Sequence, residues 1–337
     1  MSGPLVLLGP QRAHPRVSEA LAHHGCTGDV AVISAGWRHD EHELDALRRD
    51  LGDRLVHLPL YRWFDALCLR DRSLAAAYTA RQQGIIDYKA AYRDQLGHIM
   101  AAVAAMQTRA ERRPELYEPE LRFTHRALRA LDARALHRLN ALRAADPTTS
   151  NPWDHPEVRA HHDEAARVLE RVDAVIIAGG HVGVLRNRLF FFGLDVLLPH
   201  VLARGAAVVA WSAGAMALCD QIYLFYDDPP EGEGHAEVLD TGLDLISGLR
   251  LFPHARLRLR LDDPRRMGRL ADRLRPATVL ALEAGAWLEH TAQTGWVDRS
   301  LPDTARVIRP DGSACPPAEA FPFAAPRTHV GERTVIP

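Results

Sequence analysis

AAVVAWSAGAMALC, residues 206–219, carries the reading of this chain. Ala206–Ala210 is an uninterrupted apolar run of the kind buried on both faces of a parallel sheet. One hydroxyl residue follows, then small residues, then a helical pattern. Ser212 therefore falls in a sharp strand-to-helix turn, where Ala213 and Gly214 leave room for the backbone to fold back and for a substrate to approach. The start of the helix offers amide N–H groups without intrahelical partners, suited to a developing oxyanion. The competing use of Ser212 is that of a simple N-cap.

The same grammar extends outward from this turn. Upstream, Ala174–Ala178 (AVIIA) is a strand that enters Gly179-Gly180, and Phe190–Leu202 reads as one apolar helix. Near the N-terminus, Leu5–Leu8, Val30–Ile33 and Leu55–Leu58 are short buried strands, separated by helical stretches such as His42–Leu51, which makes a β-α-β-α-β opening. Downstream, strands are expected at Leu249–Phe252 and Thr278–Leu282, with a hairpin around Ala286–Val297 and an irregular, proline-rich tail after Leu301. Alternation of this kind predicts an α/β fold with a mostly parallel central sheet. Between Tyr61 and Arg167 the β-branched runs vanish and apolar residues recur at helical spacing (Ile99, Val103, Met106), with breaks expected near Pro114, Pro119 and the Asp146–Pro156 loop. The division is thus an α/β domain over 1–60 and 168–337, with a large helical insertion over 61–167. An insertion of that size suits a lid, a partner surface or a homo-oligomer interface.

Composition narrows the function classes. The chain has 337 residues, 47% of them hydrophobic, with 41 basic and 43 acidic side chains and a formal net charge of -2. That balance provides no field for nucleic acid or an anionic membrane, and neither is expected as a partner. Lys89 is the only lysine. The four cysteines stand singly, with no CxxC pair to suggest zinc or redox chemistry. No apolar run reaches the ~20 residues that span a bilayer, and LVLL near the N-terminus reads as a strand rather than a signal peptide. A cytoplasmic location is the expectation.

Chemistry concentrates at predicted strand ends, where open parallel sheets bind their ligands. Leu249–Phe252 leads into Pro253-His254, and Phe225-Tyr226-Asp227-Asp228-Pro229 supplies carboxylates. A serine hydroxyl needs a base to take its proton, and the base needs a carboxylate to orient it. Ser212, His254 and Asp227 are the three required types.

The segment from about Asp173 to Leu288 resembles the peptidase E and cyanophycinase family of serine peptidases. The resemblance rests on Gly179-Gly180-His181, Trp211-Ser212-Ala213-Gly214-Ala215, Asp227, Gly242-Leu243-Asp244-Leu245, Phe252-Pro253-His254 and Leu282-Glu283-Ala284-Gly285, in that order. It implies a three-layer sandwich like that of class I glutamine amidotransferases, and hydrolysis of peptide or isopeptide-like amides in a small substrate, without metal or other cofactor. Ser212 is then the nucleophile and His254 the base, with Asp227 or Glu283 as the orienting acid. The Gly180 and Ala213 N–H groups would form the oxyanion hole, with Gly179, His181, Trp211 and Arg256 around the substrate. His181 departs from the family's usual asparagine after the glycines, and Ala255-Arg256-Leu257-Arg258 lacks the aromatic and acidic residues often found there.

Two other readings stand beside this one. A non-catalytic binding or scaffold protein could keep the same fold. An esterase of the G-x-S-x-G type is disfavoured by Ala210 in the first glycine position and by the short spacing from Ser212 to Asp227. His39, His42, His155, His161 and His162 read as solvated surface rather than metal ligands.

Overall fold

The computed structural model describes residues 2–13, 15–145, 152–225 and 234–326. In chain order its strands are β1 (Leu5–Leu8), β2 (Val30–Ile33), β3 (Leu55–His57), β4 (Ala174–Ile177), β5 (Ala207–Trp211), β6 (Gln221–Leu224), β7 (Glu237–Thr241), β8 (Leu249–Pro253), β9 (Thr278–Leu282), β10 (Trp287–Thr291), β11 (Gly295–Asp298), β12 (Ala305–Ile308) and β13 (Ala314–Cys315). Seven of them form the central sheet in the order β11-β10-β1-β5-β4-β2-β3. Neighbours from β1 to β3 pair in parallel, whereas β10 and β11 close one edge antiparallel.

Side-chain alternation along these strands explains the layers. Leu5, Leu7, Ala31, Ile33, Val175, Ile177, Val208 and Ala210 face one apolar core, which also takes in the long helices. Val6, Leu8, Val30, Val32, Ala174, Ile176, Val209 and Trp211 face a second core, closed by Val17, Ala20, Leu21 and Leu51 from helices Val17–His23 and Asp45–Leu51. Successive residues of a strand point to opposite faces, so a sheet apolar at every position must be covered on both. The architecture is accordingly α/β with a mostly parallel central sheet, as the apolar runs predict.

A second sheet, β13-β12-β9-β8, pairs β8 with β9 in parallel, in a register that places Pro253 beside Leu282. The pair β6-β7 stands apart from both sheets. Three consecutive helices, Leu60–Arg70, Arg72–Arg112 and Pro114–Ala144, occupy much of the segment between β3 and β4. The 41-residue helix would be about 60 Å long at 1.5 Å per residue, and it packs along Pro114–Ala144.

Three expectations need correction. The apolar stretch Phe190–Leu202 is two helices, Val182–Phe191 and Leu194–Ala203, because Gly193 adopts φ 73°, a left-handed conformation that ends one helix and turns into the next. Pro119 sits inside Pro114–Ala144 without breaking it. It lies in the second turn, where it removes the one N–H that would reach the Glu115 carbonyl, and the remaining hydrogen bonds and packing of the long helix carry that loss. The tail after Leu301 is not wholly irregular: Val307 and Ile308 extend the second sheet by pairing with Leu280 and Val279.

Candidate active site

The backbone at Ser212 has φ 48° and ψ -118°, between β5 and helix Ala213–Leu218. A non-glycine residue at positive φ costs of order 1–3 kcal/mol and persists only where its surroundings impose it. The surroundings are visible. Ser212 N–H donates to Leu8 O at 3.1 Å, and its carbonyl accepts from Met216 N at 3.0 Å. Gly214 lies against the Ile177 and Ala178 carbonyls so closely that any side chain would collide with backbone. Neighbouring strands therefore hold the turn at both ends. Ser212 is 8% exposed.

Gly179 covers this turn from the end of β4. A Cβ at 179 would stand 3.0 Å from Ser212 Cβ and 3.0 Å from Trp211 Cδ1. Gly180 adopts φ 122°, and a Cβ there would be 2.5 Å from the Gly36 carbonyl oxygen, which accepts from His181 N at 2.7 Å. The loops after β2 and β4 thus interlock through Gly36, Gly179 and Gly180. Among the described residues, no backbone carbonyl accepts from Gly180 N–H or Ala213 N–H.

His254 follows β8 in a left-handed conformation, φ 58° and ψ 37°. Its N–H donates to Leu282 O at 2.9 Å, which sets it beside the end of β9. Partial burial lowers the imidazole pKa from its ordinary value, and the charges of Arg258 and Arg12 lower it further. The shift favours the neutral form of the ring. Glu283 is the next residue after β9. Its Oε1 accepts from Arg256 N at 2.5 Å, tying the carboxylate to the helix Ala255–Arg258 that begins just after His254.

Leu8 and Gly9 connect the two halves. Leu8 O accepts from Ser212 N. Gly9 donates to Ala286 O at 3.0 Å and packs directly on the Glu283 carbonyl. Helix Ala213–Leu218 also packs on β8. The Ser212 turn and Glu283 consequently both lie at the end of β1, and His254 pairs with Leu282, the residue before Glu283. Among the described residues no hydrogen bond joins the Ser212 hydroxyl to His254, or Glu283 to the His254 ring. Asp227 lies outside the described residues.

The remaining expected residues are placed as follows. His181 is exposed, and its Nδ1 accepts from Val184 N at 3.2 Å, capping helix Val182–Phe191. Trp211 is buried in the second core, beside Val209 and Trp287. Arg256 is exposed and donates to Asp303 O at 2.9 Å.

Sequence reasoning missed Gly9, Gly36, Arg12 and Glu41. The two glycines had a signal: LVLLG and VISAG each put glycine at or just beyond a strand end, like AVIIAGG. Glu41 had none. It is fully buried, its carboxyl pushed up to about 7 by that burial, and it accepts from Tyr61 N and Arg62 N at 2.9 Å each. It thereby caps helix Leu60–Arg70 from the loop that carries Gly36.

Residues 153–294 match the model of Peptidase family S51. The match supports the resemblance to peptidase E and a peptidase function. The structure is similar to that of a peptidase from an acI-B1 Actinobacterium, with a TM-score of 0.49 and 13% identity over 92% of each chain. A second similar structure is a peptidase E protein of Listeria monocytogenes EGD-e, at TM-score 0.30 and 16% identity, covering 41% of this chain and 65% of that one. No curated protein matches the sequence. No described helix is long and apolar enough to cross a membrane.

Proposed function

We propose that this chain, similar to peptidase family S51 over residues 153–294, is a serine peptidase that cleaves peptide or isopeptide-like amides through an acyl-enzyme on Ser212. The observation that carries the reading is the strained Ser212 turn held on Leu8, while Gly9, the next residue, packs on the Glu283 carbonyl, one position past the Leu282 that pairs with His254. His254 takes the hydroxyl proton as Ser212 Oγ bonds to the amide carbonyl carbon. The Gly180 and Ala213 N–H groups receive the oxyanion. His254 then delivers the proton to the leaving amine, the C–N bond breaks, and water releases the acyl group by the same path in reverse. Each oxyanion donor is worth about 2.7–4 kcal/mol at the transition state.

Asp227 and Glu283 are the two candidates for orienting His254. The bond from Glu283 to Arg256 N favours Glu283 as a positioning residue for the loop that carries the imidazole. Gly179, His181, Trp211 and Arg256 remain the proposed surroundings of the substrate. With Nδ1 engaged as a cap acceptor, Nε2 is the His181 ring nitrogen left to meet a substrate. The helices between β3 and β4 leave Leu69, Ile86, Leu116 and Phe123 exposed, which supports self-association through that segment.

Turnover of a panel of short peptides with free and blocked termini tests the proposal, with Ser212→Ala as reference. Release of amine by the wild type but not by the variant is the expected result. A well-folded wild type that leaves the whole panel intact would favour a non-catalytic binding role, and faster cleavage of matched esters alone would favour an esterase.

A further inference from the structure

A second constellation lies at the antiparallel edge of the central sheet, outside the Ser212 turn. Helix Val17–His23 ends in His23-His24, and β10 supplies Glu289. His24 Nε2 lies 3.1 Å from Glu289 Oε2, and His23 Nε2 lies 3.5 Å from Glu289 Oε1. The three ligating atoms fall within 4.8 Å of one another, and among the described residues this is the one such group. Glu289 is 2% exposed. Trp287 Nε1 donates to Oε2 at 3.0 Å and Arg299 Nε to Oε1 at 2.5 Å.

We infer that His23, His24 and Glu289 form a binding site for one divalent transition-metal ion of the Zn2+ class, with water completing the shell. Two imidazoles and a carboxylate are the ligand set that suits Zn2+ and its neighbours, rather than Mg2+ or Ca2+. Bonds of about 2.0–2.1 Å in a tetrahedron put ligand atoms roughly 3.4 Å apart. The two nitrogen-to-oxygen separations, 3.5 Å from His23 to Oε1 and 3.1 Å from His24 to Oε2, each lie near that value, one to each carboxylate oxygen. The widest separation closes by rotation of His23, whose side chain is 38% exposed.

The outer shell is in place as well. Ligating carboxylates need hydrogen-bond donors behind them to fix their orientation, and the Trp287 indole holds Oε2 in that way. Arg299 neutralises the carboxylate in the absence of metal. Its side chain is 38% exposed, so the guanidinium can swing into water when a cation takes its place. The metal would staple the C-terminal end of helix Val17–His23 to β10, the strand between β1 and the edge strand β11. It takes no part in the proposed hydrolysis.

The test uses the full chain, stripped with a chelator and titrated with Zn2+ by calorimetry, with thermal unfolding in parallel. One Zn2+ per chain and a raised Tm are expected, with no effect from Mg2+. Co2+ should give visible d–d absorption of a four- or five-coordinate site. His23→Ala and His24→Ala should each weaken Zn2+ binding by about tenfold or more, while leaving fluorophosphonate labelling of Ser212 unchanged. Glu289→Gln serves only if it folds, and the exposed His23 keeps the test open if it does not. Absence of Zn2+ binding by the wild type, or full affinity in a His23→Ala/His24→Ala double variant, would overturn the inference.

Discussion

Gly179 lies against Ser212 so closely that a Cβ at 179 would come within 3.0 Å of Ser212 Cβ. The Ser212 turn and the glycine loop are therefore one packed unit, and the volume of residue 179 governs where the hydroxyl stands. Gly179→Ala should force the turn or the Trp211 indole to move by a few tenths of an ångström. Displacements on the scale of 1 Å near a reacting group cost about 10²-fold. For a movement of a few tenths of that, we expect a smaller fall in kcat/KM, about tenfold, with a far-ultraviolet circular dichroism spectrum that stays native.

The pH dependence follows from His254. Burial, Arg258 and Arg12 depress its pKa, so the base stays deprotonated to a lower pH than an ordinary imidazole would. The acid limb of the kcat/KM profile should accordingly lie below the unperturbed value of about 6.5. Arg258→Gln and Arg12→Gln remove positive charge, raise the pKa and shift that limb toward higher pH. A limb that does not move in either variant would remove His254 from the role of base.

Stability rests in part on a buried pair that links the long helices to the region after β8. Arg273 Nε donates to Asp132 Oδ2 at 2.7 Å, its Nη2 reaches Tyr92 OH at 3.0 Å, and Tyr92 OH donates to Asp132 Oδ1 at 2.8 Å. Removing one partner strands the other charge. Asp132→Ala should cost about 3–5 kcal/mol in urea unfolding. Tyr92→Phe, which leaves the ion pair intact, should cost only about 1–2 kcal/mol.

Glu289 sets an acid window. Its folded pKa of about 2 lies below the unfolded value of 4.5, so its contribution is present above pH 4.5 and is lost as pH falls toward 2. Each unit of difference is worth about 1.4 kcal/mol. In metal-free protein, Glu289→Gln should flatten the loss of stability between those two pH values, as read from unfolding midpoints.

Much of the fold was legible because parallel strands buried on both faces must be apolar at every position. Leu5–Leu8, Val30–Ile33 and Thr278–Leu282 match their expected spans, and β4, β5 and β8 differ from theirs by only a residue at an end. Gly193 was not legible as a break, since the apolar residues on either side carry the same periodicity. β12 was hidden because a four-residue strand between prolines has no distinctive pattern of its own. At the site, Ser212 and His254 stood out as polar residues after apolar runs. Gly36 and Gly9 did not, because their roles depend on which strands become neighbours. The same limit hid Asp132–Arg273, partners 141 positions apart, and the His24–Glu289 contact, 265 apart.

The central claim is that Ser212 is an activated nucleophile, and covalent labelling tests it most directly. A fluorophosphonate probe with peptide mapping should place one phosphonyl adduct on Ser212 of the folded wild type. Ser212→Ala and His254→Ala should stay unlabelled while keeping the native circular dichroism spectrum. A folded wild type that takes no label, or takes it on another serine, would contradict the account.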